Sequence, residues 1–318
     1  MRILKYIFLS FFILIFAVNC AAGVESGDIK KAKEFFFIGD SLLQSGDYES
    51  ARKILHEALL LKYETGDTLG GALCQLRLGK IAFQQNYYSK ALRYFEEALT
   101  PLENAGLYRE LSELYNHRGR IFGKHGQWEE AVLSYRRAIE LAERIPDSKL
   151  IFINQSALGS LSLQRMRLDG ALNNFRLALQ LAPELIDSVT AYCKIAETYA
   201  LNQEFNQALT VLDSALTIVI GDTLSLIKIY GARGKINYQR GDYPGALLYY
   251  QKQLDYIQSS DDAYGRARVM MNMAVIYEQQ GNIAKASDFM EEVVKIFRRV
   301  DSSEADKAQD YLNKLQNR

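Results

Sequence analysis

Proline is scarce, with four residues in 318, and the one tryptophan and three cysteines are scarcer still. So few prolines, beside abundant alanine, leucine, glutamine and glutamate, favour helix throughout. Three cysteines (Cys20, Cys74 and Cys193) with no C-x-x-C pair exclude a disulfide-built scaffold and a cysteine zinc site. Neither sign of charge is in excess, since Lys+Arg and Asp+Glu each total 38. Nothing in that balance draws the chain to nucleic acid or to an anionic membrane surface. With a hydrophobic fraction of 48%, the chain is not a disordered one either. There are only three histidines, His56, His117 and His125. The last two lie eight residues apart on one expected helix, about 12 Å along its axis, too far to share a metal. We read them as surface or groove residues. No phosphate-cradling glycine loop and no G-x-S-x-G elbow occurs, so we expect no enzyme, no cofactor and no metal site.

The one long apolar run is at the N-terminus. Arg2 and Lys5 precede a mainly apolar run of thirteen residues from Tyr6 to Val18. As helix that run measures about 20 Å, short of a bilayer core of about 30 Å. A basic start and a short apolar segment read as a secretory signal over residues 1–19. The sequence Ala17-Val18-Asn19-Cys20 closing it resembles a bacterial lipoprotein signal. That resemblance implies a diacylglyceryl thioether on Cys20, with residues 20–30 as lipid-attachment cysteine and tether. Asn19 and Ala17 depart from the usual box, and an ordinary cleaved signal or an uncleaved anchor remain alternatives. Several acyl chains would hold the protein stably, each buried CH₂ adding about 0.8 kcal/mol. The expected location is therefore the cell envelope, membrane-anchored on the periplasmic side or at the outer membrane; the alternative is a soluble periplasmic or secreted protein.

Beyond the tether the chain repeats itself. Alanines recur at Ala51, Ala91, Ala131, Ala171, Ala208, Ala246 and Ala286, at intervals of 40, 40, 40, 37, 38 and 40. Twelve residues before each stands a small residue: Gly39, Gly79, Gly119, Gly159, Ala196, Gly234 and Ala274. Four residues after each is a bulky one: Leu55, Phe95, Tyr135, Phe175, Leu212, Tyr250 and Met290. Seven after, a second alanine recurs five times and gives way to Gln253 and Val293 in the last two units. Three before, at a turn, sit Tyr48, Tyr88, Trp128, Leu168, Phe205, Tyr243 and Ile283. Each unit therefore reads as two helices, with glycines at 46, 126, 241 and 281 supplying a left-handed cap between them. Facing small residues permit close helix approach, and the ring beside the turn fills the wedge where the helices diverge. Gly66-Asp67-Thr68, Gly221-Asp222-Thr223, Pro146-Asp147-Ser148 and Ile186-Asp187-Ser188 are expected to cap the first helices of the following units.

These units resemble the tetratricopeptide repeat, with Gly-Asp-Tyr-(x)₂-Ala at 46–51 and 241–246 and Gly-Gln-Trp-(x)₂-Ala at 126–131. Most intervals exceed that family's usual period, which resembles its long-helix members. The implied fold is all-α: a right-handed superhelical solenoid of about seven antiparallel helix pairs over 31–301, closed by a capping helix at 302–318. In the last segment Ala305, Ala308, Tyr311, Leu312 and Leu315 have helical apolar spacing.

The resemblance implies a protein or peptide partner bound on a concave surface lined by first helices. In repeat three that register selects Asn116, Arg120 and Lys124, spaced four apart on one stripe. Lys80 and Lys235 match Arg120, while Gln239 and Asn272 extend the surface into repeats six and seven. Lys, Arg and Asn in such slots grip a peptide's terminal carboxylate in this family. Here Asp40, Ser160 and Glu197 interrupt the pattern, and a solvated charged face is the alternative. Glutamine occupies the outer slot in five repeats (Gln44, Gln84, Gln164, Gln239 and Gln279), where it either serves a peptide backbone or simply favours exposed helix. The expected function is a non-enzymatic, exported interaction scaffold; the alternative is an extracytoplasmic sensory module acting through a separate signalling partner.

Overall fold

The computed structural model describes residues 27–258, 262–300 and 302–317. The signal segment, Cys20 and most of the tether fall outside the described residues. Within them the chain is all helix, with no strand. It divides into two compact units at Leu150. The first holds α1 (27–45), α2 (Tyr48–Glu64), α3 (Thr68–Gln84), α4 (Tyr88–Asn104), α5 (Tyr108–Lys124) and α6 (Trp128–Ala142). The second is built from α7 (Ser148–Gln164), α8 (Leu168–Leu181), α9 (Leu185–Leu201), α10 (Phe205–Ile218), α11 (Thr223–Gln239), α12 (Tyr243–Gln258), α13 (Ala263–Gln279), α14 (Ile283–Arg299) and α15 (Ala305–Gln316).

Odd-numbered helices up to α13 carry the small residue of each repeat, and the even-numbered helices carry the alanines. All seven first alanines are fully buried, as are the five second ones. What lies on the small residue is the bulky side chain of the partner helix. A Cβ built on Gly79 would stand 2.4 Å from Cε1 of Phe95, and one on Gly159 2.7 Å from Cε1 of Phe175. Gly119 faces Tyr135, Gly234 faces Tyr250 and Gly39 faces Leu55 in the same way. Where the first helix has alanine instead, the partner is an unbranched or γ-branched aliphatic: Ala196 shares a cluster with Leu212, and Ala274 with Met290. The close approach thus depends on a bulky side chain seated over a small residue, beyond the meeting of small residues alone.

The residue three before each alanine begins the second helix in all seven repeats and is half-buried. The turn before it needs a left-handed residue, filled by Gly46 (φ 85°), Gly126 (φ 74°), Gly241 (φ 82°) and Gly281 (φ 77°). In repeats two, four and five the same conformation is forced on Asn86, Met166 (φ 55°) and Gln203.

Between repeats, Asp67, Asp147 and Asp222 accept hydrogen bonds from the amides of Gly70, Leu150 and Ser225, as expected of helix caps. Asp187 does not. Pro183 ends the preceding segment and α9 already begins at Leu185, so Asp187 lies inside the helix and is buried. At the C-terminus α15 lays Ala308, Leu312 and Leu315 into one cluster with Val293 and Phe297 of α14, and the Tyr311 hydroxyl donates to Glu278. That is how the last pair covers its apolar face.

Candidate functional site

The stripe expected on α5 makes its contacts inside the first unit. Asn116 is buried and so does not face a groove. The reason is the helical drift: residues four apart advance by about 40° around the axis, and Asn116 starts only about 60° from inward-facing Gly119. Arg120 and Lys124, further round, are exposed. Even so, the Arg120 guanidinium lies 4.4 Å from the Phe83 ring centroid. Lys124 donates to the Tyr88 hydroxyl at 2.8 Å and stands 5.2 Å from that ring's centroid. Lys80 is ion-paired with Glu113. Lys80 is thus neutralised by Glu113, whereas Arg120 and Lys124 hold rings and helices together through neutral partners and keep their charge.

His117 is a correction to the surface reading. Its ring stands between Phe83 and Phe95, with centroids 5.0 and 5.8 Å away. Burial, helped by Lys80 and Arg120, pushes its pKa down to about 3, so it is neutral at ordinary pH. His56 meets the Tyr94 hydroxyl at 3.1 Å, and His125 sits edge-on to Tyr88. Among the described residues no group of histidine, cysteine and carboxylate side chains is placed to hold a metal. Burial raises the Cys74 thiol to about 12 and that of Cys193 to about 11, so neither is a nucleophile at neutral pH.

The second unit has an open groove of about 690 Å³ between α11 and α13. Lys228, Lys235 and Gln239 lie along one wall, and Arg268 and Asn272 along the other. Tyr250, Gln253 and Ile257 of α12 form the floor. Three residues expected to line a binding surface, Lys235, Gln239 and Asn272, are therefore brought together here. Lys235 and Gln239 also line a smaller recess of about 140 Å³ between α9 and α11, beside Cys193 and Glu197. Lys235 pairs with Glu197 at 2.6 Å, and Lys194 approaches the same carboxylate at 2.9 Å. Burial acts to raise the Glu197 pKa, but the hydrogen bonds from Lys235 and Lys194 outweigh it and hold the carboxyl ionised. The Tyr250 hydroxyl is pushed up to about 12 by burial and stays neutral.

The floor of this groove was the part sequence reasoning missed. Gln253 occupies the position of the second alanine, and its amide reaches over Gly231 of α11: a Cβ there would stand 2.6 Å from Nε2. The signal was present only as a break in the alanine pattern at Gln253.

Family models described as "Tetratricopeptide repeat" match residues 27–104, 225–299 and 112–144, together more than half of the chain. A TPR repeat-containing protein of Methanocaldococcus jannaschii is 21% identical over 233 residues, covering 69% of this chain and 37% of that protein. The chain thus spans little more than a third of that relative. Among solved structures, a tetratricopeptide repeat protein from Parabacteroides merdae superposes with a TM-score of 0.63 at 16% identity, covering 91% of this chain and 100% of the other. A Rap protein complexed with competence and sporulation factor superposes with a TM-score of 0.56 at 18% identity, covering 92% of this chain and 88% of that one. At these identities the likeness is one of fold.

Proposed function

From the premise that this chain belongs to the tetratricopeptide repeat family, we propose that it is a non-enzymatic interaction scaffold whose binding surface is the α11–α13 groove. The observation that carries this is the groove itself: an open channel walled by two first helices, with an amide on its floor and polar side chains on both rims. Lys80, Arg120 and Lys124 act mainly within the fold, through Glu113, Phe83 and Tyr88. The groove also suits a protein or peptide better than a small ligand, because it is open along its length and polar on both walls.

The test is partner capture from envelope extracts with the wild-type chain and an Asn272→Trp variant. Asn272 is exposed on the rim, so the indole fills the channel without entering the core. The partner should be lost from the variant. Equal recovery by both proteins would rule out this groove.

The N-terminal segment supports export and tethering. On this reading Cys20 carries the lipid and the residues before α1, which begins at residue 27, space the repeats from the membrane. Intact mass should show acylated Cys20, and Cys20→Ala should release the chain from membranes; a chain of unmodified mass beginning at Met1 contradicts both. A regulatory role is the second reading, favoured by the fold shared with a Rap protein complexed with competence and sporulation factor. Co-purification of a separate signalling subunit would select it over a passive scaffold.

A further inference from the structure

We infer that the α11–α13 groove is selective for an extended, acidic segment of about five residues, held by Lys228 and Arg268 from opposite walls and by the Gln253 amide from below. The inference rests on the groove being the binding surface and names the chemistry of what enters it.

Charge sets the selection. Lys228, Lys235 and Arg268 line the channel, with Asp262 as the one acid among its lining residues. Lys235 is ion-paired with Glu197, a carboxylate it shares with Lys194. Asp262 sits at the end of the channel, where its carboxylate accepts the Gly265 amide as the cap of α13. Lys228 donates only to a neutral hydroxyl, that of Thr190 at 2.8 Å, and the Arg268 guanidinium lies 6.0 Å from the Tyr264 ring centroid. Two cations on facing walls therefore keep their charge uncompensated by any ion pair among the described residues. A carboxylate-bearing occupant complements them, and a basic one is repelled.

The floor sets the conformation. Every second alanine from repeat one to repeat five is buried, whereas Gln253 places an amide at that position in the channel. Gly231 leaves room for it in this position, since a Cβ there would stand 2.6 Å from Nε2 and the amide would have to swing aside. An amide both donates and accepts, which matches the alternating C=O and N–H of an extended backbone. From Lys228 to Gln239 the α11 wall runs about 16 Å, the reach of about five extended residues.

The experiment uses the full chain and two N-acetylated, C-amidated octapeptides of alternating serine and glutamate or serine and glutamine, so that side-chain carboxylates are the only charge difference. Binding is read by fluorescence anisotropy. The acidic peptide should bind more tightly than the neutral one at low salt, by about two- to thirtyfold for two exposed pairs, and the difference should shrink as salt rises. Lys228→Glu with Arg268→Glu should remove that preference. Gln253→Ala restores the alanine of the other repeats and should fold normally. It should weaken both peptides by roughly the fivefold expected for one net hydrogen bond. Equal affinities for the two peptides, no detectable binding of either, or a preference that survives the double charge reversal would each overturn the inference. A partner still lost from the Asn272→Trp variant in any of those cases would leave the groove as the binding surface and refute only its acidic selectivity.

Discussion

Replacing Gly79 by alanine perturbs the packing that closes each repeat. In a free helix the change is favourable by about 1 kcal/mol, because alanine is the better helix former. In this fold the new Cβ would stand 2.4 Å from Cε1 and 2.7 Å from Cδ1 of Phe95. Carbon contacts are comfortable at about 3.5–4.0 Å, so the ring would have to retreat by about 1 Å. Phe95 has no exposed surface and sits in the first unit's main cluster, so that retreat displaces its neighbours. Overpacking of this kind costs about 1–3 kcal/mol, and a rigid enclosed ring belongs near the upper end. The net expectation is a loss of about 1–2 kcal/mol, read as a lower urea midpoint at unchanged slope. The decisive arm repeats the change in a Phe95→Leu background, which recreates the Ala196–Leu212 pairing of repeat five. There Gly79→Ala should be neutral or stabilising, giving a coupling of about 2 kcal/mol. Equal effects in the two backgrounds, within about 0.5 kcal/mol, would refute the seating of bulky residues on the small ones.

The other predictions concern the turn, the enclosed histidine and the thiols. Met166→Gly should stabilise the chain by about 0.5–1 kcal/mol in thermal melts, since Met166 holds a left-handed conformation at φ 55° on an exposed turn; an unchanged midpoint contradicts the strain. His117 has its pKa lowered to about 3 in the fold against a usual value near 6.5, so its contribution is fully present above about pH 6.5. As pH falls from there toward 3 the unfolded chain takes up the proton first, and stability declines by up to about 1.4 kcal/mol per pH unit. His117→Leu should flatten that slope in acid titrations of stability, and an identical slope would show the ring to be protonated in place. Cys74 and Cys193, raised to about 12 and 11, should resist iodoacetamide at neutral pH until urea unfolds the chain; prompt labelling of the native protein would refute their enclosure.

The repeat was legible because helix packing imposes its demands at fixed intervals. The small residues at the positions of Ala131 and Gly119 recur because only glycine or alanine fits where two helices approach, and a bulky apolar residue recurs at the position of Trp128 because a second helix starts there. The site was legible only in part. Whether a cation is ion-paired depends on partners about one repeat away, as with Glu113 for Lys80 and Glu197 for Lys235. Single-helix register cannot supply that information. Asn116 was misplaced because a stripe with a spacing of four drifts around the helix, and Asp187 because a proline moved the start of α9. The groove arises where the repeat departs from its own rule. Gly231 and Gln253 are unremarkable alone and informative only as a pair brought together across two helices.

Site-specific photo-crosslinking in living cells addresses the binding surface directly. A benzophenone amino acid placed in turn at Gln239, Asn272, Lys124 and Leu248 samples the groove rims, the α5 stripe and the exposed side of α12. One discrete crosslinked partner is expected from positions 239 and 272, and none from 124 or 248. A partner captured from 124 or 248 but not from the groove positions would contradict that placement.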